Sequence, residues 1–413
     1  MKVLVTGLFE PAAVLAIRRL GELGHTVVAA DGHRLAYAAY SKHVSRRVWV
    51  PNLRYHPAAY AQAILRELET GGYDAYFPNY EEIIPMSHFR GRVLAVTKTA
   101  MVDTQTLLTL HDKTRLDRLA RELGIDTPST FAPRSMDEAR DHIAKVELPV
   151  VIKMRQTSGA AGFRKVTTRK ALETQYADVV RANQLPVSDL PLIQQLIEGP
   201  TTCTLHLCRA GDVIGEVMYQ GVRTMPRTGG TTVCRESRPD AACKEAAARI
   251  VRRLRFEGFC GFDFVIQTGT ERAFLVDGNC RITPGLAMAY HGGCDMVEAW
   301  IRIVNKEEVS PLRPTRAGVR TKMGFGDFVW LLESYAGSFK DWRGERALRR
   351  TWWADRKVPD DIASRSDPLP IVMLWIYILA DLLWRLVFTS FDSAQLFLFH
   401  NQYVERPSQG DKA

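Results

Sequence analysis

The chain has 413 residues, of which 46% are hydrophobic and 24% charged, and it carries a formal charge of +9. That balance excludes a disordered or fibrous chain and leaves room for two or three domains around a large core. The charge favours anionic partners (nucleotides, nucleic acid or anionic lipid), while seven scattered cysteines with no CxxC pair argue against a zinc site or a disulfide framework.

Met1 to Gly7 is too short an apolar run for a signal peptide and no small-residue cleavage site follows, so a cytoplasmic location is expected. Residues 2–6 predict a buried strand, Pro11 to Leu23 a helix, and His25 to Ala30 a second strand ending at Asp31. This βαβ opening predicts a parallel sheet. The turn Gly7-Leu-Phe-Glu-Pro-Ala12 lacks the glycine fingerprint of dinucleotide sites, which points to a Rossmann-like domain with no cofactor of its own. Pro57 to Thr70 predicts a helix and Asp74 to Pro78 a strand. Glu81 and Glu82 follow at its carboxyl end, as contacts for a substrate amine or as a solvated helix start.

Leu107 to Leu123 predicts one long amphipathic helix containing Lys113. Leu148 to Met154 is an apolar strand carrying a single lysine, Lys153, whose ammonium needs an anionic partner. A small-residue loop, Arg155 to Lys165, runs on from it and would let backbone N–H groups approach phosphate oxygens. Pro191 to Gly199 reads as another strand, and Thr201 to Leu207 with Val213 to Tyr219 as a hairpin. Gly221 to Arg235 reads as a basic loop. Its Arg223, Arg227 and Arg235 could bind phosphate or a substrate carboxylate, or simply be solvated.

Gly261 to Ile266 and Phe274 to Arg281 read as two strands joined by hairpin material. Pairing them would gather Asp263, Asp277 and Asn279, the last two on one strand face. Two carboxylates and an amide oxygen make a hard site, suited to magnesium holding a nucleotide's phosphates. Arg281 continues that face and could clamp a transferring phosphoryl group. The plain alternative is a hairpin with ordinary surface carboxylates.

In this order the residues resemble the ATP-grasp superfamily, in its carbamoyl-phosphate-synthase-like and carboxylate–amine-ligase branch. The resemblance covers roughly residues 1 to 305 and rests on five ordered pieces: Asp112-Lys113 before Leu123 to Pro128; Pro149 to Lys153 with its loop; Ile193 to Gly199; Gly261-Phe-Asp263; and Asp277 to Arg281 before Gly285. It implies an α/β and α+β architecture: a Rossmann-like pre-ATP-grasp domain (1–106), then a two-lobed ATP-grasp domain (107–305, lid about 125–190). A C-terminal helical, amphipathic extension (306–413) would follow.

The roles implied are these. Lys113 and Lys153 would contact ATP phosphates beneath a lid loop containing Ser158, Gly159 and Gly162. Gln194, Gln195 and Ile197 would line the adenine slot, with Glu198 standing in for the usual ribose acid. Asp263, Asp277 and Asn279 would hold Mg2+ (or Mn2+), and Arg281 would stabilise the phosphoryl group and the acyl-phosphate. The reaction implied activates a carboxylate with ATP for attack by an amine. The sequence departs from the family in having Asp277 where a Glu is usual and Cys280 where a Pro is usual. A catalytically degenerate ATP-binding module for regulation or scaffolding is the rival reading. Nucleic-acid binding is supported by charge alone and by no motif.

Beyond residue 305, Asp341 to Lys357 mixes tryptophans with arginines, and Ile371 to Phe388 is strongly apolar but broken by Asp381 and Arg385, which are four apart. A helix lying on the inner membrane surface is expected for 342–388, with burial against the ligase core or a homodimer partner as the alternative. Two charges near the middle argue against a full span. Residues 405–413 read as a disordered tail.

Overall fold

A computed structural model describes residues 1–156, 162–225, 227, 231–337 and 342–388, the last five by backbone alone. The expected tail at 405–413 therefore lies outside the described residues.

The chain opens with β1 (Lys2–Val5), α1 (Pro11–Glu22), β2 (Thr26–Asp31), β3 (Val44–Trp49), α2 (Pro57–Gly71) and β4 (Ala75–Phe77). The strands form a parallel sheet in the order β3-β2-β1-β4, as the βαβ pattern requires. Short helices α3 (Ile83–Ser87) and α4 (Arg90–Val96) follow.

The long helix expected over 107–123 is instead two, α5 (Thr104–His111) and α6 (Lys113–Glu122). Asp112 between them leaves the helical region, and its carboxylate accepts from the Thr114 amide at 2.8 Å, capping α6. The break puts Lys113 at the first position of a helix instead of mid-face.

A small antiparallel sheet, β5-β8-β6-β7, is built from β5 (Thr130–Phe131), β6 (Val150–Lys153), β7 (Arg164–Val166) and β8 (Leu192–Gln195). Helices α7 (Met136–Lys145) and α8 (Arg169–Ala182) cover it, and Ile143, Val150, Ile152, Leu172 and Tyr176 form its own apolar core.

The largest sheet holds six antiparallel strands in the order β13-β12-β9-β10-β11-β14. These are β9 (Thr201–Arg209), β10 (Asp212–Met225), β11 (Thr231–Ser237), β12 (Gly258–Ile266), β13 (Ala273–Asn279) and β14 (Arg320–Lys322). Helices α9 (Ala241–Leu254), α10 (Leu286–His291) and α11 (Met296–Val304) pack against this body.

The stretch expected as a basic loop is mostly strand, because β10 runs to Met225 and β11 starts at Thr231. Arg223 and Arg235 are consequently buried within a sheet and are not solvated. A buried guanidinium requires carboxylate partners, and the residues beyond 305 supply them. Arg223 bonds Asp327 at 2.6 Å and Asp355 at 2.7 Å, and Arg235 bonds Asp361. Arg227 pairs with Glu345 at 2.9 Å and lies over the Trp330 ring.

The C-terminal segment thus adds β14 to the large sheet, then α12 (Gly324–Gly337), α13 (Trp342–Ala354) and α14 (Leu369–Phe388). Asp367, just before α14, receives Arg18 at 2.8 Å and the Ser41 hydroxyl at 2.7 Å, which fastens the segment to the opening domain. One face of α14 is buried there through Leu374, Tyr377 and Ile378, in line with burial against the body for that face. The other face exposes Trp375, Ile376, Leu379, Leu382 and Leu383. The Arg385 side chain, expected to pair with Asp381, lies outside the described residues. Among the described residues no helix is long and apolar enough to cross a membrane.

Candidate active site

A cavity of about 760 Å³ opens between the two antiparallel sheets, the carboxyl ends of the opening domain's strands and the C-terminal segment. Lys113, Lys153, Asp263, Asp277, Asn279 and Arg281 all line it.

The hairpin β12–β13 sets the acidic side. Asp263 and Asp277 are direct partners across the two strands, at an irregularity in their register, and Asn279 pairs with Gly261 two positions on. Gly278 between the acids has a structural reason: a Cβ there would lie 2.7 Å from Leu116 and 3.0 Å from the Leu110 carbonyl oxygen. The missing side chain lets α5 and α6 close over β13, and that contact delivers Lys113 to Asp277, at 3.1 Å. Lys153 reaches over from β6 and donates to the Val276 carbonyl oxygen at 3.2 Å.

The charges strain one another. Burial, together with the neighbouring Asp277, pushes the Asp263 carboxyl up to about 6. Burial likewise brings the Lys153 ammonium down to about 8, against the pull of Asp277. Both shifts come from ionisable groups held out of water, and each would relax beside an opposite charge. Among the described residues no three His, Cys, Asp or Glu side chains cluster as a metal site. The oxygen set is the two carboxylates with the Asn279 amide, and that hard donor set fits Mg2+ completed by phosphate oxygens and water.

Arg281, two residues after Asn279, is largely but not fully buried. Its guanidinium stacks over Tyr80 at 4.3 Å and lies 3.7 Å from Glu81. Burial opposes its charge, but Tyr80, Glu81 and Glu10 outweigh burial and hold the guanidinium protonated. The two acids after β4 are therefore buried and do not form a solvated helix start. Glu82 is consumed internally, accepting from the Thr6 hydroxyl at 2.7 Å and the Asn79 amide at 2.8 Å.

Other expected positions sit elsewhere. Gln194 is buried on β8 with its amide donating to the Thr130 hydroxyl at 2.8 Å. Gln195 and Glu198 are exposed, and Ile197 is buried in the turn that follows β8. None of these four lines the cavity, which begins just beyond them at Pro200 and Thr201. Gly162 takes a positive φ of 70° and a Cβ there would meet the Met154 side chain at 2.6 Å, so glycine is favoured at the end of the loop. Ser158 and Gly159 lie outside the described residues.

The sequence reading missed Glu10, Tyr37 and Tyr80, which also line the cavity. Glu10 is half-buried beside it, and burial, with Glu81, Glu82 and Asp31 nearby, pushes its carboxyl up to about 8 despite Arg281. Its position in the turn after the first strand of a parallel sheet was the available signal, since ligands collect at that edge.

Part of the chain is similar to known proteins in sequence, and most of it in fold. Residues 110–285 match the family model for an ATP-grasp domain. Over 194 residues the chain is 21% identical to the carbamoyl phosphate synthase large chain of Methanothermobacter thermautotrophicus, spanning 45% of this chain but only 18% of that protein. The biotin carboxylase domain of Hydrogenobacter thermophilus 2-oxoglutarate carboxylase, solved with MgADP, ADP and bicarbonate, superposes with a TM-score of 0.60 at 19% identity, covering 75% of this chain and 70% of that one. An L-amino acid ligase from Bacillus licheniformis gives 0.62 at 14% identity, covering 77% and 78%. At these identities the two structures speak for the fold. The family match over residues 110–285 identifies an ATP-grasp domain within this chain, and the structural likeness agrees with that fold.

Proposed function

We propose that the protein is an ATP- and magnesium-dependent ligase that activates a carboxylate as an acyl-phosphate for attack by an amine. The observation that carries this reading is the gathering of two lysines, two aspartates, one asparagine and one arginine from four separate segments around one cavity.

A carboxylate acylates poorly because oxide is a poor leaving group, and phosphorylation supplies a good one. Lys113 and Lys153 are assigned to the triphosphate, where their charge balances what builds on the transferring oxygens. Asp263, Asp277 and Asn279 are assigned to the metal (Mg2+, or Mn2+ in its place), which would neutralise phosphate charge when bound. Arg281 is assigned to the acid's carboxylate and then to the acyl-phosphate. Glu10, half-buried and holding its proton unusually tightly, is suited to face the incoming amine: beside a cationic ammonium its proton would pass to solvent, leaving a carboxylate that orients the ammonium and can take one of its protons to free the attacking amine. The adenine-slot assignment for Gln194, Gln195, Ile197 and Glu198 and the domain limits 1–106, 107–305 and 306–413 belong to the same reading. Its finer part puts the outward apolar face of α14 on the inner membrane surface.

The test is ADP release from ATP in the presence of acid and amine mixtures, with Lys153→Ala as control. Turnover that the control lacks supports the ligase. Tight ATP binding with no turnover in any mixture supports the degenerate module.

A further inference from the structure

The ATP-grasp match ends at residue 285, yet the cavity does not. Its lining includes Phe9 and Tyr37 from the opening domain and Met323, Phe325, Ile362 and Leu374 from the C-terminal segment, and all of these but Met323 belong to one packed apolar cluster. All six side chains thus lie outside the matched region, two before it and four after it. We infer that they form an apolar subsite, and that the acid used by the enzyme carries a bulky apolar group, aromatic or branched aliphatic. This rests on the ligase reading of the same cavity and adds the substrate class.

The wall is built and held. Asp327, two residues after Phe325, and Asp355 bind the buried Arg223 at 2.6 and 2.7 Å, and Asp361, next to Ile362, binds Arg235. Asp367 binds Arg18 at 2.8 Å just ahead of the helix that carries Leu374. Phe325 packs edge-on against Trp375 at 5.3 Å. Tyr37 brings its ring without a spare donor, because its hydroxyl donates to the Phe9 carbonyl at 2.9 Å.

The charges bordering this subsite have defined uses. Arg235 is committed to Asp361, whereas Arg281, 3.7 Å from Glu81 and stacked on Tyr80, still lines the cavity, where a substrate carboxylate can join it. An acid anchored at Arg281 with its tail toward this wall would bury that tail among carbon atoms. A second charge on the tail would lose its hydration without a partner, whereas each buried methylene adds to affinity. Short polar acids gain nothing from the wall.

The experiment compares acetate, succinate, 4-methylpentanoate and 3-phenylpropanoate. Binding is read by thermal shift with MgADP present, and turnover by ADP release with hydroxylamine as nucleophile. The two apolar acids are expected to bind at least about ten-fold tighter than the polar pair, a discrimination typical of apolar pockets. Phe325→Ala is expected to cut the preference for 3-phenylpropanoate over succinate about ten-fold, and Phe325→Leu to restore part of it with 4-methylpentanoate. Equal or tighter binding of acetate and succinate, or a preference untouched by Phe325→Ala in a protein that still melts cooperatively, would overturn the subsite. Absence of ADP release with every acid would instead count against the ligase reading, and the binding series still decides the wall.

Discussion

The Lys113 ammonium lies 3.1 Å from the Asp277 carboxylate, so the base assigned to phosphate and the acid assigned to metal are ion-paired with each other. A magnesium–nucleotide complex would exchange this contact for two better ones, Lys113 to phosphate and Asp277 to metal. Asp277→Asn is therefore expected to lower ADP release by roughly 10²-fold, the scale of losing one preorganised electrostatic contact. Asp277→Glu, which places the family's usual acid there, is expected to retain turnover. Steady-state ADP release for both variants checks this pair of outcomes.

The raised Asp263 carboxyl makes metal-dependent nucleotide binding sensitive to acid. Its value of about 6 means the group takes up a proton as pH falls through that point, and a protonated carboxyl is a poor magnesium ligand. Nucleotide affinity in the presence of Mg2+, measured by calorimetry, is expected to weaken between pH 7 and pH 5, and the metal-free affinity to change less.

The same raised carboxyls affect stability with a definite sign. Glu10 moves from 4.5 to about 8 on folding, so between those values the folded state binds more protons than the unfolded chain. Stability then falls as pH rises through that window. Glu10→Gln removes the contribution. Its melting temperature relative to the parent is expected to rise steadily from pH 5 to pH 8 and to level off above.

Arg223 with Asp327 and Asp355 anchors the C-terminal segment in the large sheet. Removing one partner leaves a buried charge, so Asp327→Ala is expected to cost about 3–5 kcal/mol. Replacing Arg223 and both acids together with apolar residues of similar size is expected to cost much less. Urea unfolding of the single and triple variants would separate the two.

The outward face of α14 gives the membrane part of the proposal its own test. Leu379→Glu combined with Leu383→Glu is expected to abolish flotation with anionic vesicles while leaving the melting temperature within a degree or two, since both side chains are exposed. Equal flotation of parent and variant would assign the face to something other than lipid.

What could be read from the sequence divides along contact range. The β12–β13 hairpin announced itself because alternation and a short linker are local, and so the Asp263–Asp277 juxtaposition followed from spacing alone. Lys153 stood out as one ammonium in an apolar strand. The break at Asp112 was also local, and was missed because the apolar period across 107–123 outweighed an Asp followed by Lys and Thr, which is an N-cap signal. Arg223 and Arg235 read as loop residues because the acids that bury them come roughly a hundred residues later. The Phe325 and Leu374 wall was unreadable for the same reason: no local pattern marks a side chain that meets a cavity through tertiary packing.

The measurement that bears most directly on the central claim is ADP formation from MgATP with a pool of carboxylic acids and hydroxylamine, for the parent and for Lys153→Ala. The account predicts acid-dependent ADP and a stoichiometric hydroxamate for the parent, with Lys153→Ala slower by roughly two orders of magnitude. Acid-dependent ADP formation of equal rate in both proteins would contradict it, since the cavity lined by Lys113, Lys153, Asp263, Asp277 and Arg281 would then not be where phosphoryl transfer occurs.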